Sequence, residues 1–220
     1  MSEKRIGVLT IGQSPRPDLV APLENMLPGC RILQAGALDG LAPADLPDPT
    51  NAAYPLVTQM RDGKKVFVEE RFLASKLQQA LNRLEFEGVT ATLLMCAGTF
   101  ADLHGKLPLF IPFKIGCSLL DTLRMRSIGL ITPVAAQEKP IRERWAKKGF
   151  RPTVWTADLA TQDAPFYLQL RKRIHKNNLA CIVLDYVGHP VEQVTRLQGS
   201  IDLPVIDLGQ LAMVTLASTV

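Results

Sequence analysis

Cys96 and Tyr186 end two matching apolar runs without carrying matching chemistry. Thr90-Ala-Thr-Leu-Leu-Met-Cys96 runs into Ala97-Gly98-Thr99. Leu179-Ala-Cys-Ile-Val-Leu-Asp-Tyr186 runs into Val187-Gly188-His189-Pro190. A thiol with a reference pKa of about 8.5 can serve as base or nucleophile near neutrality, whereas a phenol at about 10 stays protonated and donates hydrogen bonds. Face to face, the two ends would make a cleft with a thiol on one wall and a phenol on the other. Cys96 is expected at the start of a helical segment, where free N–H groups would favour the thiolate. A strand-end cysteine also serves as a plain structural residue, and both readings stay open on residue type alone.

Ligands of parallel α/β sheets bind outside the carboxyl ends of the strands. Four such ends qualify. Thr10 lies at the end of the first strand, next to Ile11, and Gly12, Gln13, Ser14 and Arg16 follow it. Cys96, Ala97, Gly98 and Thr99 end the third. Thr132 and Pro133 close the first strand of the second half, and Tyr186, Gly188 and His189 its third. The Gly12–Asp18 loop is expected to hold an anion, because Ser14 reads as the N-cap and Pro15 as the first helical residue, with Arg16 adding charge. Ser-Pro also serves simply as a helix cap, and His189 before Pro190 reads as a cap as readily as a site residue. His104 and His175 read as surface histidines.

The elements that must position these residues alternate β and α, which predicts an α/β fold with parallel sheets flanked by helices. Arg5–Ile11 and Ser127–Thr132 are continuous apolar runs, as in strands buried on both faces. Further strands are expected at 30–35, 90–96, 151–156, 179–186 and 203–207, with an edge element at Ile111-Pro-Phe. Residues 54–69 read as a hairpin turned by Asp62-Gly63. Helices are expected after Ser14 and over 70–87, 116–126, 134–148, 163–177, 190–199 and 208–219. Ile6-Gly-Val-Leu-Thr-Ile11 echoes Ile128-Gly-Leu-Ile-Thr-Pro133, with the same succession of elements behind each. We therefore read two pseudo-repeats: lobe one over 1–114 and lobe two over 115–205, with the closing segment 206–220 packing back on lobe one. A pseudo-dyad between them would bring all four loops to one interlobe cleft.

With 220 residues, 47% of them apolar, the chain can bury a substantial core. Its net charge of +4 is spread over mixed signs, with no aromatic-interleaved basic stripe, so no nucleic-acid partner is expected. The basic runs 142–148 and 171–176 read as solvated helix faces. No apolar stretch suggests a leader or a membrane span, so a cytoplasmic location without membrane contact is expected. The four cysteines show neither C-x-x-C spacing nor a histidine cluster nearby, so no metal is expected; Cys30 and Cys181 read as inert buried thiols.

Several blocks together resemble the AroM family: Ile6 to Asp18, Tyr54-Pro-Leu-Val-Thr with Arg61-Asp-Gly-Lys64, Leu94-Met-Cys-Ala-Gly-Thr99 and Leu184-Asp-Tyr-Val-Gly-His189. That family is similar to the aspartate/glutamate racemase superfamily, which includes amino-acid and hydantoin racemases, maleate isomerases and arylmalonate decarboxylases. The resemblance implies two pseudo-symmetric α/β lobes and chemistry without metal or organic cofactor. Racemases of that superfamily move a proton with two cysteines, one per lobe. Cys96 matches the first; Tyr186 falls where the second would stand. The expectation is a cofactor-independent isomerase or lyase-like enzyme acting on a small carboxylate. Cys96 would be base or nucleophile, Tyr186 a donor or pocket wall, and the Gly12–Arg16 loop with Thr99 would hold carboxylate oxygens. The alternative is a non-catalytic carboxylate-binding protein. A homodimer is compatible with either.

Overall fold

The computed structural model describes residues 3–162 and 164–220. The chain divides into two compact units, Met1–Pro112 with Ala212–Val220, and Phe113–Leu211.

The first unit is built on β1 (Lys4–Thr10), α1 (Pro17–Met26), β2 (Cys30–Gly36), β3 (Pro55–Gln59), β4 (Lys65–Glu69), α2 (Glu70–Phe86), β5 (Ala91–Met95) and β6 (Leu109–Phe110). Its main sheet has the order β2-β1-β5-β6, all parallel. β5 is buried along its whole length, which is why it reads as unbroken apolar sequence. Leu73, Leu77, Ala80, Leu81 and Leu84 form the buried stripe of α2, at the spacing of one helical face. β3 and β4 pair only with each other, antiparallel.

The second unit carries α3 (Pro112–Thr122), β7 (Ser127–Thr132), a 3-10 turn (Ala135–Gln137), α4 (Glu138–Ala146), β8 (Arg151–Thr156), α5 (Ala164–Asn177), β9 (Cys181–Leu184), α6 (Val191–Ser200) and β10 (Val205–Asp207). α7 (Leu208–Ala217) begins there and crosses the division at Ala212. The sheet order β10-β9-β7-β8, read backwards, is that of the first unit with β7 in the place of β1 and β9 in that of β5. The repeated glycine has a steric reason in each copy. A Cβ on Gly129 would lie 2.5 Å from both Ile182 and Trp155, on the two neighbouring strands; one on Gly7 would lie 2.7 Å from Thr92 Oγ1. Both central strands are covered too closely there for a side chain.

Three local expectations shift. Helix α1 starts at Pro17, with Arg16 and not Ser14 in the capping position. A residue before proline is pushed out of the helical region, so Arg16 cannot join the helix and Pro17 takes its first position. The same rule moves α3 to start at Pro112, leaving Leu109–Phe110 as the edge strand in place of Ile111-Pro-Phe; α3 ends by Thr122, and Arg124 beyond it takes a left-handed φ of 57°. No helix follows Cys96 before α3. The expected first residue of the helix at 163 lies outside the described residues.

Candidate functional site

In the first unit the register pairs Thr10 with Met95, so the loops after β1 and β5 leave adjacent strands at the same edge. Thr10, Gln13, Ser14 and Arg16 are thereby brought to the edge that carries Cys96, Gly98 and Thr99. Cys96 is 7% exposed, and its sulfur accepts the Gly98 N–H at 3.3 Å. Thr99 Oγ1 lies 3.4 Å from a Glu70 carboxylate oxygen at the start of α2, and the Phe100 N–H lies 3.5 Å from the same oxygen. Phe100 is buried with φ at 37°, an unusual conformation for a residue with a side chain, so this turn is held by its surroundings.

The loop after β1 contains its own carboxylate. Asp39 accepts the Ser14 N–H and hydroxyl, both at 2.7 Å, and the Gly36 N–H at 2.8 Å, and pairs with Arg83 at 2.9 Å. Burial works against the Asp39 carboxylate, but these donors outweigh it and hold its pKa below the usual range. Arg16 closes a fork onto Asp18 at 2.8 and 2.6 Å, which holds the Asp18 pKa down. The Gln13 side-chain amide donates to the carbonyls of Leu38 and Leu41, and its oxygen accepts the Arg61 N–H at 2.7 Å. Thr10 Oγ1 faces the Gly12 N–H at 3.4 Å. Sequence reading missed Asp39 and Arg61, whose partners lie 25 and 47 residues away.

In the second unit Ile131 pairs with Leu184, so Thr132 and Asp185 end neighbouring strands. Thr132 is fully buried and hydrogen-bonds the side chain of Gln137 at 2.8 Å. Asp185 is buried against Arg144 of α4, one guanidinium nitrogen straddling its oxygens at 2.7 and 2.5 Å, with the Trp145 indole N–H at 3.3 Å. Burial pushes the Asp185 pKa up to about 6, against the pull of Arg144 and Trp145. A charged residue on the Ile141–Trp145 face of α4 was the available signal for this pair.

Tyr186 packs its ring against the apolar core of this unit and lies 3.7 Å, centroid to centroid, from the ring of His189. Burial and the Asp158 charge raise the phenol's pKa, and the Leu159 N–H, donating to its oxygen, only partly opposes them. Gly188 holds the turn with φ at 89°. Both ring nitrogens of His189 are buried, and neither makes a well-formed hydrogen bond among the described residues. Burial lowers its pKa to about 4, against the Tyr186 carbonyl and Asp158. His189 is therefore neutral from weakly acidic to alkaline pH.

The sign of the resulting linkage is fixed. The unfolded histidine takes up a proton below about 6.5 and the folded one only near 4. The neutral ring's contribution to stability is present above 6.5 and lost as pH falls through 4. Relative to His189→Gln, the natural protein should lose up to about 3 kcal/mol between pH 7 and pH 4. Urea midpoints for both proteins across that range measure the difference; parallel curves would contradict it.

The two parallel four-stranded sheets flanked by helices have the Asp/Glu racemase-like fold, as superposition on solved structures shows. Unliganded arylmalonate decarboxylase superposes with a TM-score of 0.65 at 13% identity, over 99% of this chain and 94% of that one. Maleate isomerase from Pseudomonas putida gives 0.61 at 10% identity, over 98% and 92%. Glutamate racemase from Aquifex pyrophilus gives 0.57 at 14% identity, over 98% and 84%. At these identities the likeness is one of fold. No curated protein matches the chain in sequence. The AroM protein family matches over residues 6–220, and the chain belongs to that family.

Proposed function

We propose that this protein is a cofactor-independent enzyme, isomerase or lyase-like, acting on a small carboxylate. The observation that carries the reading is the Cys96 turn. A thiol ends a fully buried strand, has the Gly98 N–H aimed at its sulfur, and is followed by a residue held at an unfavourable φ. An N–H donor already in place is a partner for the thiolate, and backbone strain collects at working sites. Cys96 acts as base or nucleophile, Thr99 and the Gly12–Arg16 loop hold carboxylate oxygens, and Tyr186 is a donor or a wall. Arylmalonate decarboxylase and maleate isomerase on this fold, both named for carboxylate chemistry, support the substrate class. A single thiol suits decarboxylation or a one-base isomerisation, since neither needs a second base of matched strength.

Alkylation tests the reading. A thiol 7% exposed with no special role should react slowly with iodoacetamide. Cys117 and Cys181 should also be slow, since burial pushes their pKa values up to about 11 and about 12. The expected result is faster labelling of Cys96 than of Cys117 and Cys181, mapped by mass spectrometry, and slower labelling of Cys96 with maleate present. Turnover of maleate or an arylmalonate should disappear in Cys96→Ala. An unreactive Cys96 overturns the reading, and protection by acids with no turnover of any replaces it with a carboxylate-binding protein.

A further inference from the structure

The hairpin β3–β4 reaches the candidate carboxylate loop as a stiff arm. Leu56, Met60 and Val68 bury one of its faces. Its tip is satisfied internally: the Met60 N–H donates to the Lys64 carbonyl at 2.9 Å, the Gly63 N–H to the Met60 carbonyl at 3.0 Å, and the Lys64 N–H to Asp62 at 2.9 Å. Gln59 adds its side-chain amide to the Gly63 carbonyl at 2.9 Å.

That arm is fastened to residues 12–14 at several points. The Gln13 N–H donates to the Gln59 carbonyl at 3.1 Å, and the Arg61 N–H to the Gln13 side-chain oxygen at 2.7 Å. Gly12 lies so close that a Cβ there would collide with the Gln59 carbonyl and the Thr58 hydroxyl. The Arg61 guanidinium then grips the Ser14 carbonyl with Nε at 3.0 Å and Nη2 at 2.7 Å.

The charges around the loop differ in kind. Arg16 is neutralised by Asp18, and Arg83 by Asp39. Arg61 makes no ion pair among the described residues; its partner is a neutral carbonyl. Only two of its five N–H groups are spent there. It therefore keeps its charge and has donors left for an anion at the same loop.

We propose that Arg61 supplies the positive charge of the carboxylate site at the Gly12–Arg16 loop and positions that loop through the Ser14 carbonyl. This rests on the reading above that the loop holds a carboxylate. The probe is maleate, titrated calorimetrically into the natural protein, Arg61→Ala, Arg61→Lys and Arg16→Ala, with amide hydrogen exchange followed in each. Arg61→Ala should weaken maleate binding about tenfold or more, the scale of one charged hydrogen-bonding group. Arg61→Lys should recover part of that loss, since it keeps the charge without the fork, and Arg16→Ala should weaken binding less than Arg61→Ala, since Asp18 already occupies the Arg16 fork. Exchange in Arg61→Ala should accelerate in residues 12–16 and stay unchanged in β1 and β5. Unchanged affinity in Arg61→Ala, or a larger loss in Arg16→Ala, overturns the proposal. If the natural protein binds no maleate, the carboxylate reading itself fails and exchange alone judges the positioning. Acceleration confined to 12–16 then upholds it, and none overturns it.

Discussion

Arg144→Ala should destabilise the protein by about 3–5 kcal/mol at pH 8, because removing one member of a buried pair leaves the other without a countercharge. Arg144 and Asp185 are both buried, at 2.5 Å, inside the second unit. The Arg144 guanidinium also lies 4.6 Å over the Phe113 ring, so truncation removes packing as well as charge. At roughly 2–4 °C per kcal/mol for a chain of this size, the melting temperature should fall by about 10 °C. The loss should depend on pH in a stated direction. The folded pKa of Asp185 is raised to about 6 from an ordinary value near 3.8. The folded state therefore holds that proton more tightly than the unfolded chain. Its stabilising contribution is full below about 4 and is lost as pH rises through 6. Without Arg144 the folded pKa rises further, so the deficit of the variant should grow between pH 5 and pH 8. The double replacement Arg144→Met with Asp185→Leu should recover part of the loss, since an apolar pair carries no desolvation cost. Chemical denaturation at pH 5 and pH 8 measures all three proteins. An Arg144→Ala deficit below about 1 kcal/mol at pH 8, or one that shrinks as pH rises, would show the pair to be dispensable.

The natural protein should fail to exchange the α-hydrogen of aspartate, glutamate or hydantoins with solvent deuterium. Two-base racemisation swaps the roles of acid and base between forward and reverse directions, so the two groups need comparable strength. At reference values a thiol is a few per cent ionised at pH 7 and a phenol about 0.1%. Burial widens that gap for Tyr186 by raising its pKa further. Position adds to it: the ring is packed against the core, lies tilted against the His189 ring, and its oxygen already accepts the Leu159 N–H. The phenol oxygen also lies several bonds farther from the backbone than a cysteine sulfur would, so the ring fills space that a thiol would leave open. Tyr186→Cys should open that space, at a cost in stability from the lost packing. Proton NMR in deuterated buffer decides the matter. Loss of the α-proton signal with the natural protein, at rates typical of enzymes, would refute the role assigned to Tyr186.

Most of the architecture was readable from local pattern. Apolar runs gave β1, β5, β7 and β9, the 3.6-residue stripe gave α2, and the alternation of β and α gave parallel sheets flanked by helices. The misreadings were also local. Ser14 looked like a cap because Ser-Pro is a common start, but the second proline, Pro17, excludes Arg16 from the helix and moves its start. No helix starts at Cys96, because Phe100 turns the chain with a positive φ and is held there by its burial.

By itself the sequence determined most of the elements, that the main sheets are parallel, and that a thiol and a phenol follow corresponding strands. These follow from side-chain period and backbone restriction, which act over a few residues. Only the tertiary structure decided which charges are spent. Asp39 reaches Ser14 across 25 residues, Arg144 reaches Asp185 across 41, and Arg61 reaches the Ser14 carbonyl across 47. Arg16, the cation the sequence offered for the loop, is closed onto Asp18, while Arg61 keeps its charge beside the same loop. Whether an ionic group is neutralised or free depends on the few ångströms around its tip, and packing between distant segments sets those distances.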